Sequence, residues 1–224
     1  MGKIVSVSLF LCLLTCGVCY GATPTLEEIR TSMDSTWQEV NSMSADVTMK
    51  FNMPVGASAL PIAAVGTFDY LREDGKDKSR QRIAAKVPEP FAMEMKLDIL
   101  FDGKKMYTTM ELMGQKSTDI GEPSLEQGAL PPGGTRLLDA LEKHLDLSVE
   151  PNETIDGHEV YVLIGVPKEK DAPVQKLKIC IDKAIAAQRR TEVYQLDGTV
   201  GVTVSFTNFK QNTQPDPSLF VPTK

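Results

Sequence analysis

From Met43 to Met53 the chain alternates without a break, with Met43, Ala45, Val47, Met49, Phe51 and Met53 set against Ser44, Asp46, Thr48, Lys50 and Asn52. A period of two places each row on one face of a strand, so this segment predicts a half-buried strand. Pro54-Val55-Gly56 interrupts it, and Val65 to Leu71 resumes with Gly66, Phe68 and Tyr70 on one side. Glu73-Asp74-Gly75-Lys76 predicts a turn, followed by a strand from Lys78 to Val87 with one very polar face. Beyond Pro88-Glu89-Pro90, the residues Phe91, Met93, Met95, Leu97, Ile99 and Phe101 alternate with Ala92, Glu94, Lys96, Asp98 and Leu100. Asp102-Gly103 is a hairpin signal, and Met106, Thr108, Met110 and Leu112 continue on the return strand. Residues 43–113 therefore predict an antiparallel meander.

Two segments carry a helical period instead. Leu26, Ile29, Met33, Trp37 and Val40 form one stripe within Pro24–Val40, and Thr25 with Glu28 offers a capping box. After a loop rich in Gly and Pro from Gly121 to Gly134, Thr135 is the expected cap of a second helix with Leu138, Leu141 and Leu145 in its stripe. Further strands are expected at 147–150, 160–166, 175–182, 187–195 and 199–209, the last with Val200, Val202, Val204 and Phe206 on one side. Strands outnumber helices, and an amphipathic helix needs an apolar surface. The expected fold is mainly β: a strongly curved antiparallel sheet forming an incomplete barrel, with helices packed in its concave side as a lid.

The first residues read as an address rather than as a fold element. Lys3 precedes an apolar run from Ile4 to Val18, the layout of a secretory signal and short for a membrane span. Small residues favour cleavage after Gly21 or Ala22, which divides the chain into a signal at 1–21 and one domain at 22–224. Lipidation of Cys16 or Cys19 is the weaker reading, because neither follows a small apolar residue. Cleavage leaves Cys180 as the single cysteine, with no intramolecular disulfide to make.

With 24 basic and 30 acidic residues, the net charge of −6 argues against nucleic acid and against an anionic membrane surface. His144 and His158 are the two histidines, which excludes a multi-His metal site. No nucleophile elbow, phosphate-cradling Gly loop or Cys-x-x-Cys pair appears, so neither catalysis, cofactor nor metal is expected. Methionine is what the chain does have. Seven of its ten Met residues (Met43, Met49, Met53, Met93, Met95, Met106 and Met110) lie on apolar strand faces. Met fills gaps without imposing a shape, which suits a surface that receives variable apolar cargo as well as an ordinary core.

In order along the chain, these pieces resemble the periplasmic lipoprotein-carrier family with the LolA-like fold. The resemblance rests on Gly66-Thr67-Phe68-Asp69-Tyr70-Leu71-Arg72, on the hairpin Ile99-Leu100-Phe101-Asp102-Gly103-Lys104-Lys105-Met106-Tyr107, and on the helix at 134–145. The strand at 160–168 ending in Pro-Lys and the closing Leu219-Phe220-Val221-Pro222 extend it. It implies a monomeric, non-enzymatic carrier in the periplasm that shields the acyl chains of lipoproteins, taking them from an inner-membrane donor to an outer-membrane acceptor. The lipid-binding lining would then be Val47, Met49 and Phe51; Phe68; Met93, Met95, Leu97 and Ile99; Met106 and Met110; Leu138 and Leu141; and Val202, Val204 and Phe206. Arg72 aligns with the family's lid-latching arginine and is expected to donate to carbonyls of the loop at 121–134. A lipid-sensing envelope-stress module on the same fold is the alternative, and a small exported hydrolase a third.

Overall fold

The computed structural model describes residues 23–55, 58–89, 91–122 and 133–222. The expected signal segment and the middle of the loop at 121–134 lie outside them.

Helix α1 (Leu26–Gln38) begins with the expected capping box: the Thr25 hydroxyl accepts from the Glu28 amide, and the Glu28 carboxylate accepts from the Thr25 amide at 2.7 Å. The first meander follows as β1 (Ser42–Val55), β2 (Ser58–Glu73), β3 (Lys76–Val87), β4 (Met93–Phe101), β5 (Met106–Leu112) and β6 (Gln115–Gly121). Helix α2 (Gly134–His144) leads into the second meander: β7 (Leu145–Ile155), β8 (His158–Pro167), β9 (Val174–Asp182), β10 (Gln188–Gln195) and β11 (Val200–Gln211). A 3-10 turn (Pro217–Phe220) lies beside β3 and buries Phe220.

All eleven strands of the described residues join one antiparallel sheet in the order β6-β5-β4-β3-β2-β1-β11-β10-β9-β8-β7. The two meanders meet where β1 pairs with β11, and β6 and β7 are the two edges of a sheet that does not close. Aspartate-glycine pairs make several of the turns. Asp74-Gly75 and Asp156-Gly157 take positive φ at both residues, the combination that matches the twist of a two-residue hairpin. Between β5 and β6 the same turn is made by Met113-Gly114, with φ of 53° and 77°.

The alternation seen in the sequence becomes a single apolar inner face. Buried Ile29, Met33 and Trp37 of α1 and Leu137, Leu138 and Leu141 of α2 share one core with Val47, Ile62, Phe68, Tyr70, Ile83, Leu163, Ile179 and Ile181 of the sheet. The helices are tied to each other by Arg30, which pairs with Asp139 and Glu142. A second, smaller apolar cluster of Ile155, Val160, Val162 and Cys180 lies on the outer face. Cys180 does stand opposite in phase to Leu177, Ile179 and Ile181, but it is buried there rather than set among polar groups. Burial pushes its thiol up to about 11, which removes the thiolate that reactivity needs.

Two expectations of local structure are corrected. The strand Gln115–Gly121 was not expected, because its residues show no polar–apolar alternation. The cap of α2 is Gly133 and not Thr135, which lies within the helix. His158 is exposed at the start of β8, directly after the Asp156-Gly157 turn, and its Nδ1 lies 3.4 Å from the Asp182 carboxylate. Asp182 is buried, and Arg189 also donates to it from two nitrogens, at 2.9 and 2.7 Å.

Gly66 is fixed by a close backbone approach between β2 and β3. A Cβ there would stand 1.8 Å from the Arg82 carbonyl oxygen, a contact that only movement of the strands could relieve. Gly66→Ala should therefore destabilise the fold by at least about 2 kcal/mol, read as a lower denaturant midpoint. An unchanged midpoint would contradict this packing.

Candidate functional site

The strand registers turn the inner face into continuous cross-strand rows. One row runs Val149, Leu163, Ile179, Thr191, Val204, Met49, Ala64, Ala85, Met95 and Leu112, each residue opposite the next. A neighbouring row runs Phe206, Val47, Gly66, Ile83, Leu97 and Met110. Each row ends in polar side chains on β6, where Leu112 faces Gln115 and Met110 faces Ser117. Thr191 is the polar exception inside the first row, and its hydroxyl is buried without a hydrogen-bond partner.

Cover over these rows is uneven. Val47, Phe68, Ile99, Met106, Leu138 and Leu141 are buried, and in this conformation they are closed core. Met49, Phe51, Met93, Met95, Leu97, Val202, Val204 and Phe206 are half-buried. Met110 and Leu112 keep 49% and 38% of their surface exposed. All fifteen expected lining residues thus lie on inner-face strand positions or, for Leu138 and Leu141, in the buried stripe of α2. The most open end of the apolar rows is thus the one at β5, with Phe51, Val202, Val204 and Phe206 half-buried as well. Leu112 belongs with it and was missing from the expected lining, although its place in the Met106–Met110 alternation marks it.

Described pockets of about 530, 460 and 320 Å³ reach Phe68, Leu97 and Phe51 of the expected lining, respectively. The second is walled by Val65, Thr67, Arg82, Lys96, Asp98 and Lys116, most of them on the outer face of the sheet. Its charged groups give an alkyl chain no continuous wall, so this second pocket is a poor lipid site. Among the described residues, no group of His, Cys, Asp and Glu is arranged to hold a metal ion.

Polar contacts gather where the helices meet β2 and β3. Asp77, at the start of β3, accepts from the Tyr70 hydroxyl at 2.8 Å, from Arg72 Nε at 3.3 Å, and from Arg136 in the first turn of α2. Burial, reinforced by the Asp77 carboxylate, pushes the Tyr70 phenol well above its ordinary range and keeps it protonated as a donor. Arg72 Nη1 also lies 3.4 Å from the Trp37 and Gln38 carbonyls at the end of α1. The loop carbonyls to which Arg72 was expected to donate lie largely outside the described residues, and its described bonds tie α1 to the sheet.

Trp37 connects this cluster to α2. Its ring stands 5.1 Å from that of Tyr70. Gly133 and Gly134 pass so close that a Cβ on either would lie 2.6 Å from the indole, and the Gly134 amide donates to the Ala186 carbonyl at 3.1 Å. Sequence reasoning named Arg72 but missed Asp77. A lone aspartate after a turn carries no signal until Arg136, 59 residues away, is folded against it.

No family model matches the chain, and no curated protein matches it. Among solved structures, an uncharacterized conserved protein from Thermus thermophilus superposes with a TM-score of 0.53 at 13% identity, over 88% of this chain and 94% of that one. The two share a fold. The chain is also similar to a putative outer membrane lipoprotein-sorting protein domain from Vibrio parahaemolyticus, with a TM-score of 0.43 and 13% identity over 86% and 94% of the two chains. A third is the Mycobacterium tuberculosis lipoprotein LppX, with a TM-score of 0.46 and 10% identity over 84% and 97%.

The Asp77 cluster joins both helices to the sheet through one carboxylate. Asp77→Asn should remove the charge that Arg72 and Arg136 share and cost about 1–3 kcal/mol. It should also speed amide hydrogen exchange in the first turn of α2. Exchange as slow as in the unsubstituted protein would show that Arg136 does not hold the helix.

Proposed function

We propose that this protein is a non-enzymatic carrier of acyl chains, exported to the periplasm by its N-terminal signal and holding lipoprotein acyl groups against the inner face of its sheet. The observation that carries the reading is the uncovered end of the apolar rows, where Met93, Met95, Leu97, Met110 and Leu112 lie side by side and half open. A contiguous apolar patch of this kind marks a binding surface more often than an ordinary exterior. Methionine adds the adaptability that chains of differing length and branching need.

In this reading the sheet curves round its cargo as a half-barrel, and α1 and α2 act as its lid. Each methylene moved from water to that surface contributes about 0.8 kcal/mol. A long acyl chain therefore binds too firmly to leave unaided, and release requires a competing contact. Closure of the helices over the rows supplies one, because the half-buried residues of the empty protein then bury each other instead of the cargo. A sensor on the same fold would use the same surface, and would differ in holding a stoichiometric protein partner without moving lipid between membranes.

Met95 lies in the first row between Ala85 and Leu112. Met95→Asp places a carboxylate in that row, where an acyl chain would strip it of water. Binding of a fluorescent long-chain fatty acid should weaken at least about tenfold, while the circular dichroism stays unchanged. A folded variant with normal binding would overturn the assignment of the surface.

A further inference from the structure

The two edges of the sheet are built differently. β7 contains Pro151, which has no amide hydrogen, and its pairing with β8 shifts register between Glu150 and Glu153. Both features discourage a further strand from pairing. β6 has neither. It pairs with β5 in unbroken register from Gly121 opposite Met106 to Gln115 opposite Leu112, and no described strand lies on its other side. Alternate residues of an antiparallel edge strand point their N–H and C=O groups outward.

This open edge borders the open end of the apolar rows. Along each row the chemistry changes from Met110 and Leu112 on β5 to Ser117 and Gln115 on β6. An acylated polypeptide has the same change built into it, since its lipid and its peptide leave one N-terminal residue.

We propose that β6 is a docking edge on which the N-terminal stretch of an acylated protein adds as an extra antiparallel or parallel strand. The inference rests on the carrier reading and adds that the sheet holds the cargo's polypeptide as well as its lipid. An acyl group lying over Met110 and Leu112 brings the residue that bears it to within about two strand spacings, each roughly 4.8 Å, of the position a twelfth strand would occupy. Backbone pairing is indifferent to side-chain sequence, which suits a carrier of many cargoes.

The test compares the purified protein's affinity for a diacylglyceryl-cysteine octapeptide with its affinity for the same lipidated cysteine as a simple amide. The octapeptide should bind at least about tenfold more tightly and should slow hydrogen exchange of β6 amides. Methylating alternate peptide nitrogens should abolish the gain in one phase and spare it in the other. On the protein side, Ser117→Pro and Thr118→Pro form a matched pair, because neighbouring amides point to opposite sides of a strand. One of them removes an outward donor without breaking a bond to β5. That variant should fold normally, bind the lipidated amide as before and lose the octapeptide's advantage. Equal affinity for both ligands with unchanged β6 exchange would overturn the docking edge and leave the lipid surface standing. Binding of neither ligand would overturn the carrier reading and this inference with it. Protection of β6 through self-association without ligand would assign the edge to a second copy and overturn the proposal.

Discussion

Two short helices cannot cover an apolar face eleven strands wide. At about 4.8 Å per strand the sheet spans roughly 50 Å, whereas two helices side by side are about 20 Å across. A sheet that keeps its apolar residues on one face must bury that face, and here the helices bury its middle and the second meander. Along the rows that begin at Val149 and Phe206, buried positions such as Leu163, Ile179, Ala64, Val47 and Ile83 are interspersed with half-buried ones, and the most exposed, Met110 and Leu112, come on β5. The candidate site is what this shortfall leaves. No separate cavity is needed.

The position of the helices therefore decides how much of the face is available, and a small polar cluster sets that position. Trp37 packs against Tyr70 and leaves room only for glycine at 133 and 134. Its carbonyl accepts from Arg72, and Asp77 collects Tyr70, Arg72 and Arg136. Residues from α1, β2, β3 and α2 meet there, so a shift in one element is felt by the others. In the proposed carrier, cargo competes with the helices for the same apolar rows, and this cluster sets the balance between them.

Much of this was legible in the sequence wherever burial imposes a period. β1, with Met43 to Phe51 in strict alternation, and α1, with its capping box, could be read directly, because one face of each is buried and the other solvated. β6 could not, since an edge strand open to water has no reason to alternate and Gln115–Gly121 does not. Its turn was hidden as well, for Met113 is a rare residue to take a positive φ. The inner-face lining was readable residue by residue, because strand phase decides which face a side chain takes. Which of those residues stay open was not, because Val47 and Met95 share a phase and differ only in what the helices cover. Asp77 was out of reach for another reason: its partners come from β2 and from α2, and no local pattern joins them.

The central claim is that the open end of the inner face holds acyl chains. A fatty acid with a photoactivatable group near its methyl end, bound to the protein and cross-linked by light, locates the chain directly. The account predicts adducts on Met93, Met95, Leu97, Met110 or Leu112, suppressed by excess unlabelled fatty acid. Saturable adducts confined to the outer face, at Val65, Thr67 or Ala84, would contradict it.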